Sequence, residues 1–212
     1  MSQGMLAYLL CNLDKYYEAV AIHITISVAA MLISIFIAVP VGVLCVKKGG
    51  VAHSVMHAFT ILRIIPSLAV LVLVMPVLGT GFMPALLALT LLAIPPVLIN
   101  TYLGFKNISL SVLESAYGMG MDAARILLTI EFPLAMPLII TGIRTACIEV
   151  IASATLASYI GAGGLGDFIF TGIGMNDMQI LLIGGISVAL LSICAEIVLA
   201  MIQYGVTRYQ RN

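Results

Sequence analysis

SLSVLESAYGMGMDAARILLTIEFPLAMP, residues 109–137, is a polar, charge-bearing stretch set between long apolar segments. Ser111 and Glu114 have the Ser-x-x-Glu spacing of a capping box, in which each side chain satisfies an exposed N–H, so a short helix is expected to begin there. Gly118 and Gly120 interrupt it. Asp122 is placed to cap a second helical piece through Ala123, Ala124 and Arg125, until Pro133 forces a change of direction. Two short helices at an angle are therefore expected, in a connection far longer than antiparallel neighbours need. Val112, Leu113, Ala116 and Tyr117 form an apolar face that is costly to leave in water, which points to a protein partner.

The flanks decide the environment. Hydrophobic residues make up 62% of the 212, charged residues only 8%, and the mean hydropathy is +1.21, more apolar surface than a soluble domain of this length can hide. At a rise of about 1.5 Å per residue, five windows cross or nearly cross a hydrocarbon core of roughly 30 Å. They run from Ile22 to Val46, Ala58 to Leu78, Phe82 to Ile99, Leu138 to Ile160 and Ile180 to Ile202. The third is the shortest and carries Pro84, Pro95 and Pro96 near its ends. Lipid leaves backbone polar groups unsolvated, which excludes open sheets, and the alternation of a membrane barrel is missing. The reading is an all-α integral membrane protein, one domain over residues 22–205 with five transmembrane helices.

Positive loops are retained in the cytoplasm. With the N-terminus outside, Lys47, Lys48, Arg63, Lys106, Arg125, Arg144, Arg208 and Arg211 lie in or near cytoplasmic regions, and of the nine Lys and Arg only Lys15 lies outside. Tyr16, Tyr17 and Tyr159 mark the outer interface, and Tyr102, Tyr204 and Tyr209 the inner one. This makes 1–21 an extracytoplasmic segment, 109–137 a cytoplasmic loop and 206–212 a cytoplasmic tail, in a multi-pass protein surrounded by membrane lipid. Met5 to Leu10 is too short for a signal-peptide core and is followed, not preceded, by Lys15, so a cleaved leader is not expected.

Catalytic chemistry is hard to find. Cys11, Cys45, Cys147 and Cys194 are scattered without a Cys-x-x-Cys pair and suit apolar packing. His23 falls on the opposite side from His53 and His57, and the dispersed methionines make no cluster. No metal, cofactor or nucleic acid is expected. No Gly-x-x-x-x-Gly-Lys-Ser/Thr loop is present, so the chain is not expected to hydrolyse ATP. Gly161, Gly163 and Gly166 match Gly-x-Gly-x-x-Gly, but a membrane helix precedes them in place of a strand, which rules out a dinucleotide fold.

The loop resembles the EAA motif of permease subunits of bacterial ATP-binding-cassette (ABC) importers, whose pattern is Glu-Ala-Ala, three residues, Gly, nine residues, Ile-x-Leu-Pro. Glu114, Ala116, Gly120, Ile130 and Pro133 fit at every spacing, while Ser115 replaces an Ala and Phe132 the Leu. The resemblance runs from about Ile24 to Met201. Ile65-Pro66-Ser67 and Ile160-Gly161-Ala162-Gly163-Gly164-Leu165-Gly166 are similar to the subset importing glycine betaine, choline, carnitine and related osmoprotectants. It implies a type I importer permease, MetI-like, with a cytoplasmic coupling helix. A cytoplasmic ABC ATPase dimer would receive Glu114, Ser115, Ala116, Gly120, Asp122, Ile130 and Pro133, and an extracytoplasmic substrate-binding protein would deliver the solute. A second permease, identical or related, is also implied; five helices are too few to enclose a path alone. The alternatives are an ABC permease for another small solute such as an amino acid, or an ion-coupled secondary transporter, which inverted repeats and paired midplane charges would mark.

Two ionisable residues sit within an apolar window, where a charge costs about 2.5 to 3.5 kcal/mol at the bilayer centre. Arg144 lies about 9 Å from Leu138 and can snorkel to the cytoplasmic surface; Glu149, about 16 Å from it, cannot escape so easily. Glu149, with Ser153 at i+4, faces either the substrate pathway, where a carboxylate favours a quaternary ammonium, or a neighbouring helix in a structural hydrogen bond. Gly161, Gly163, Gly164 and Gly166 form either a flexible turn or a tight outer loop that a binding protein approaches closely. Without Trp, and with its tyrosines at the interfaces, the chain is poorly equipped for an aromatic cage around an ammonium group. Pro40, Pro66 and Pro76 mark bends, and Gly184, Gly185 and Ser187 offer a close helix contact.

Overall fold

The computed structural model describes residues 5–207; Arg208, Tyr209 and Arg211, counted above on the inner side, lie outside them. Ten α-helices follow in order among the described residues: α1 (Met5–Cys11), α2 (Leu13–Lys47), α3 (Gly49–Leu62), α4 (Ser67–Leu78), α5 (Phe82–Lys106), α6 (Leu110–Gly118), α7 (Ala123–Ile126), α8 (Phe132–Ala157), α9 (Gly166–Met175) and α10 (Met178–Thr207). Four continuous helical stretches are long and apolar enough to cross a membrane, five if the bent pair Ala52–Leu62 and Ser67–Leu78 counts as one span. Large side chains point outwards, as with Phe36 at 82% and Val77 at 81% exposure, while much of the interior is small, with Ala30, Ala38, Ala85, Ala88, Ala93 and Ala146 fully enclosed. That distribution suits lipid, where helices gain nothing by hiding apolar bulk and associate by close packing.

α5 is the hub, with α2 and α8 lying along it. Added methyl groups at three glycines would strike backbone or Cβ atoms: at Gly42, 2.9 Å from Thr101 Cβ and 3.2 Å from the Leu98 carbonyl; at Gly104, 2.9 Å from the Ala135 carbonyl; at Gly142, 2.7 Å from the Pro96 carbonyl. The third window extends past its expected end at Ile99 to Lys106, through Pro95 and Pro96. A turn past the prolines, polar side chains bond back along the helix: Asn100 Nδ2 donates to the Pro96 carbonyl at 2.8 Å and Thr101 Oγ1 to that of Val97 at 2.7 Å.

The second window, Ala58 to Leu78, is not one helix. α3 and α4 meet at 95° across Arg63 to Pro66, because a proline disfavours helical geometry in the residue before it and lacks its own N–H. α2 starts well before Ile22, and α1 and α9, both absent from the sequence reading, cap one end of the bundle; Tyr8 and Leu9 pack on the cluster of Ala19, Leu165, Phe168, Ile180 and Ile183. Pro133 does not turn the chain. A π-helical turn over Leu127–Glu131 joins α7 to α8, giving one helical run from Ala123 to Ile160; the wider turn accommodates the proline that a regular ladder would not.

At the other end of α8, Gly161 closes the helix at φ +78° and Gly81 N–H donates to the Ile160 carbonyl at 2.8 Å. Gly163 and Gly164 continue at φ +77° and +101°, against Ile22 and His23. This is a tight, packed turn. Gly164 and Gly166 are buried; only Gly161 is exposed and Gly163 half-buried, so the first two are not surface contacts in this chain. In α10, Gly184 receives Ile169 of α9 and Ser187 Oγ meets Tyr16 Oη of α2 at 2.9 Å, but Gly185 has open space around its Cβ position.

Gly142→Ala is expected to lower stability by about 1 to 3 kcal/mol through overpacking, whereas Gly185→Ala, inside a helix with nothing within 4 Å, should leave the thermal midpoint in detergent no lower and raise it slightly through helix propensity. Comparing the two melting curves checks both.

Candidate functional site

Two regions gather the chemistry-bearing residues. The first is the α6–α7 corner. α6 begins at Leu110 with Ser109 as its N-cap, so the expected Ser111–Glu114 capping box does not form; Ser111 Oγ instead meets Ser109 Oγ at 2.7 Å and its carbonyl accepts from Ser115 Oγ at 2.8 Å. The C-terminus of α6 is closed by a Schellman motif. Gly120 N–H donates to the Tyr117 carbonyl at 2.9 Å and Met121 N–H to that of Ala116 at 3.2 Å, with Gly120 at φ +78°. Asp122 follows at once and caps α7 as expected, accepting from Arg125 N–H at 2.7 Å.

Glu114, Ser115, Gly120 and Asp122 are exposed here, along with Val112 and Tyr117, while Ile130 and Pro133 are half-buried. Ala116 is only 1% exposed, so it supports the corner from beneath and is not part of the outward apolar face; Leu113 is half-buried. Leu110, Met119 and Leu128, at 70 to 74% exposure, extend that face instead.

The second region lies midway along α8. Arg63, assigned by its charge to a cytoplasmic region, reaches from the α3–α4 break to Glu149, Nη2 to Oε1 3.2 Å. Pro66, which ends the break, was the sequence signal that Arg63 does not lie within a continuous span. A cavity of about 360 Å³ opens beside the pair, walled by Arg63, Ile65, Pro66, Ser67, Leu92, Pro95, Glu149 and Ser153. Ser153, 8% exposed, thus faces the same space as Glu149.

Arg144 also finds partners the sequence reading did not name. It pairs with Glu196 of α10 through two contacts and also bonds Gln203 Oε1. Gln203 Nε2 in turn donates to Thr141 Oγ1 at 2.9 Å and to the Pro137 carbonyl at 3.3 Å. This network ties α8 to α10.

With the geometry in place, the comparisons decide the family. Residues 30–208 match the family described as binding-protein-dependent transport system inner membrane component. The chain belongs to this family. It is a multi-pass membrane protein that works as a permease subunit alongside an ATPase and a substrate-binding protein. Over 185 residues it is 40% identical to the carnitine transport permease protein OpuCB of Listeria monocytogenes, covering 87% of this chain and 85% of that one. It is 40% identical to the choline transport system permease protein OpuBB of Bacillus subtilis over 195 residues, 92% and 88% of the two chains. With the glycine betaine/carnitine/choline transport system permease protein OpuCB of the same organism it shares 38% over 203 residues, 96% and 94%. The fold is that of the permease in inward-facing structures of the MetNI methionine ABC transporter, with a TM-score of 0.82 at 19% identity over 92% of this chain and 97% of that one. A second crystal form gives 0.81 at 21%, over 98% and 100%.

Because an unpaired charge among apolar helices costs more than a neutral pair, Arg144→Gln is expected to lower the thermal midpoint in detergent further than the double variant Arg144→Gln/Glu196→Gln. Melting curves of the two give the comparison.

Proposed function

We propose that this chain passes a quaternary ammonium osmoprotectant of the glycine betaine, choline or carnitine type through the cell membrane, powered by a separate ATPase. Kinship over nearly the whole chain with permeases named for these solutes carries the reading. The N-terminus faces outwards and the α6–α7 corner lies in the cytoplasm. This orientation is supported by the run of the helices, which gathers Lys47, Lys48, Lys106 and Arg125 at the corner's end of the bundle.

In this reading the ATPase seats on the exposed side of α6 and α7, around Glu114, Ser115, Gly120 and Asp122, with Ala116, Ile130 and Pro133 holding the corner in shape. Hydrolysis stays with that partner. The binding protein meets the opposite end, where Gly161 and Gly163 lie at the surface of the packed turn. A second permease, identical or related, completes the path, and Glu149 and Ser153 line it. High-affinity selection belongs to the binding protein, so the isolated permease binds these solutes weakly.

Two measurements test this. Glu114→Lys and Gly120→Trp should each lose most of the ATPase that co-purifies with the unmodified chain; retention by both overturns the docking site. In vesicles holding the permease with its ATPase and binding protein, ATP-driven uptake of labelled glycine betaine should be competed by choline or carnitine and not by a non-quaternary amino acid. The reverse pattern would assign another solute.

A further inference from the structure

Arg63 and Glu149 are each 41% exposed in the chain, midway along the apolar stretch from Leu138 to Ile160. A charged pair at that depth is not left against lipid tails, because even the mildest insertion scales penalise each charge there. The face carrying it therefore looks onto protein or water. The break between α3 and α4 makes this possible: it removes the helix that would otherwise fill the position and leaves the cavity of about 360 Å³, within the range of small-molecule sites.

The cavity is bordered by charges of both signs, paired with each other at 3.2 Å. Beside the Arg63 guanidinium α4 begins at Ser67, with the positive end of its dipole at the cavity wall. Beside the Glu149 carboxylate stands Ser153, one turn along the same helix. Leu92, Pro95 and Pro66 supply apolar walls. A solute with a carboxylate at one end and a methylated ammonium at the other is the mirror of this arrangement. Resting on the function proposed above, we propose that the cavity is a transit site for a small zwitterion, whose carboxylate takes Arg63 and the α4 N-terminus and whose quaternary ammonium takes Glu149.

The charge balance makes the site selective. Free, the pair neutralises itself. A zwitterion that enters between the two groups replaces each partner with another of the same sign, so no charge is left alone. A plain cation satisfies Glu149 but strands Arg63, which is costly away from water. Arg63 is thus a specificity-determining residue within the permease, acting after delivery by the binding protein.

The test uses the complete transporter in vesicles, with one binding protein throughout, and measures ATP-driven uptake of glycine betaine and of choline at saturation. Arg63→Gln should raise the choline-to-betaine ratio about tenfold, the scale of one lost charged hydrogen bond, and Glu149→Gln should lower it. The neutral double variant Arg63→Gln/Glu149→Gln should still transport, with a ratio above that of the unmodified chain, because no stranded cation remains to penalise choline. Ratios unchanged in all variants overturn the proposal, as does loss of both solutes in all three, which marks the pair as structural. If the unmodified transporter carries neither solute, the proposed function itself fails. If it carries them and the ratios do not move, only the transit site fails.

Discussion

Direct backbone contact around α5 is the constraint on which the rest of the molecule depends. In water a bundle is driven together by its apolar surface; in lipid that drive vanishes and closeness of approach takes its place. Gly42, Gly104 and Gly142 let α2 and α8 come within touching distance of α5 over much of its length. The position of α8 follows, and with it the depth of Glu149. Leu92 and Pro95 of α5 then form the floor against which the α3–α4 break is set.

The two ion pairs illustrate how one chemistry is used differently by its surroundings. Arg144 and Glu196 are drawn into a network with Gln203 and Thr141 that engages all three guanidinium nitrogens and both carboxylate oxygens and fastens α8 to α10. Arg63 and Glu149 are joined by a single bond at 3.2 Å and border open space.

What could be read from the sequence divides along the same line. Gly120 and Asp122 were legible because their effects act within a few residues: one permits a left-handed φ, the other reaches an N–H three positions on. The capping box failed for an equally local reason, since Ser109 and Ser111 both stand near the helix start and the earlier serine became the N-cap. Pro133 was misjudged because its usual cost assumes a regular ladder, and a π-helical turn supplies another. The pairing of Arg63 with Glu149 spans 86 positions, and a rule that treats each cation as a loop marker places Arg63 at the membrane edge. Pro95 and Pro96 suggested an end to the third span because each removes an N–H from the ladder, yet the helix runs on through both to Lys106.

The α6–α7 corner holds its shape by bonds that are entirely its own: the Schellman pair at Gly120 and Met121, the Asp122 cap and the Ser115–Ser111 link. No atom lies within 4 Å of the Gly120 Cβ position, so the glycine answers to the backbone and to nothing outside it. A partner that docks there meets a surface already rigid and loses little entropy in ordering it, where a floppy loop would subtract about 0.5 to 1.5 kcal/mol for each side chain immobilised. In the docking proposed above, a corner preorganised in this way would be released and re-engaged without refolding, and its displacement would pass into the helix that begins where it ends.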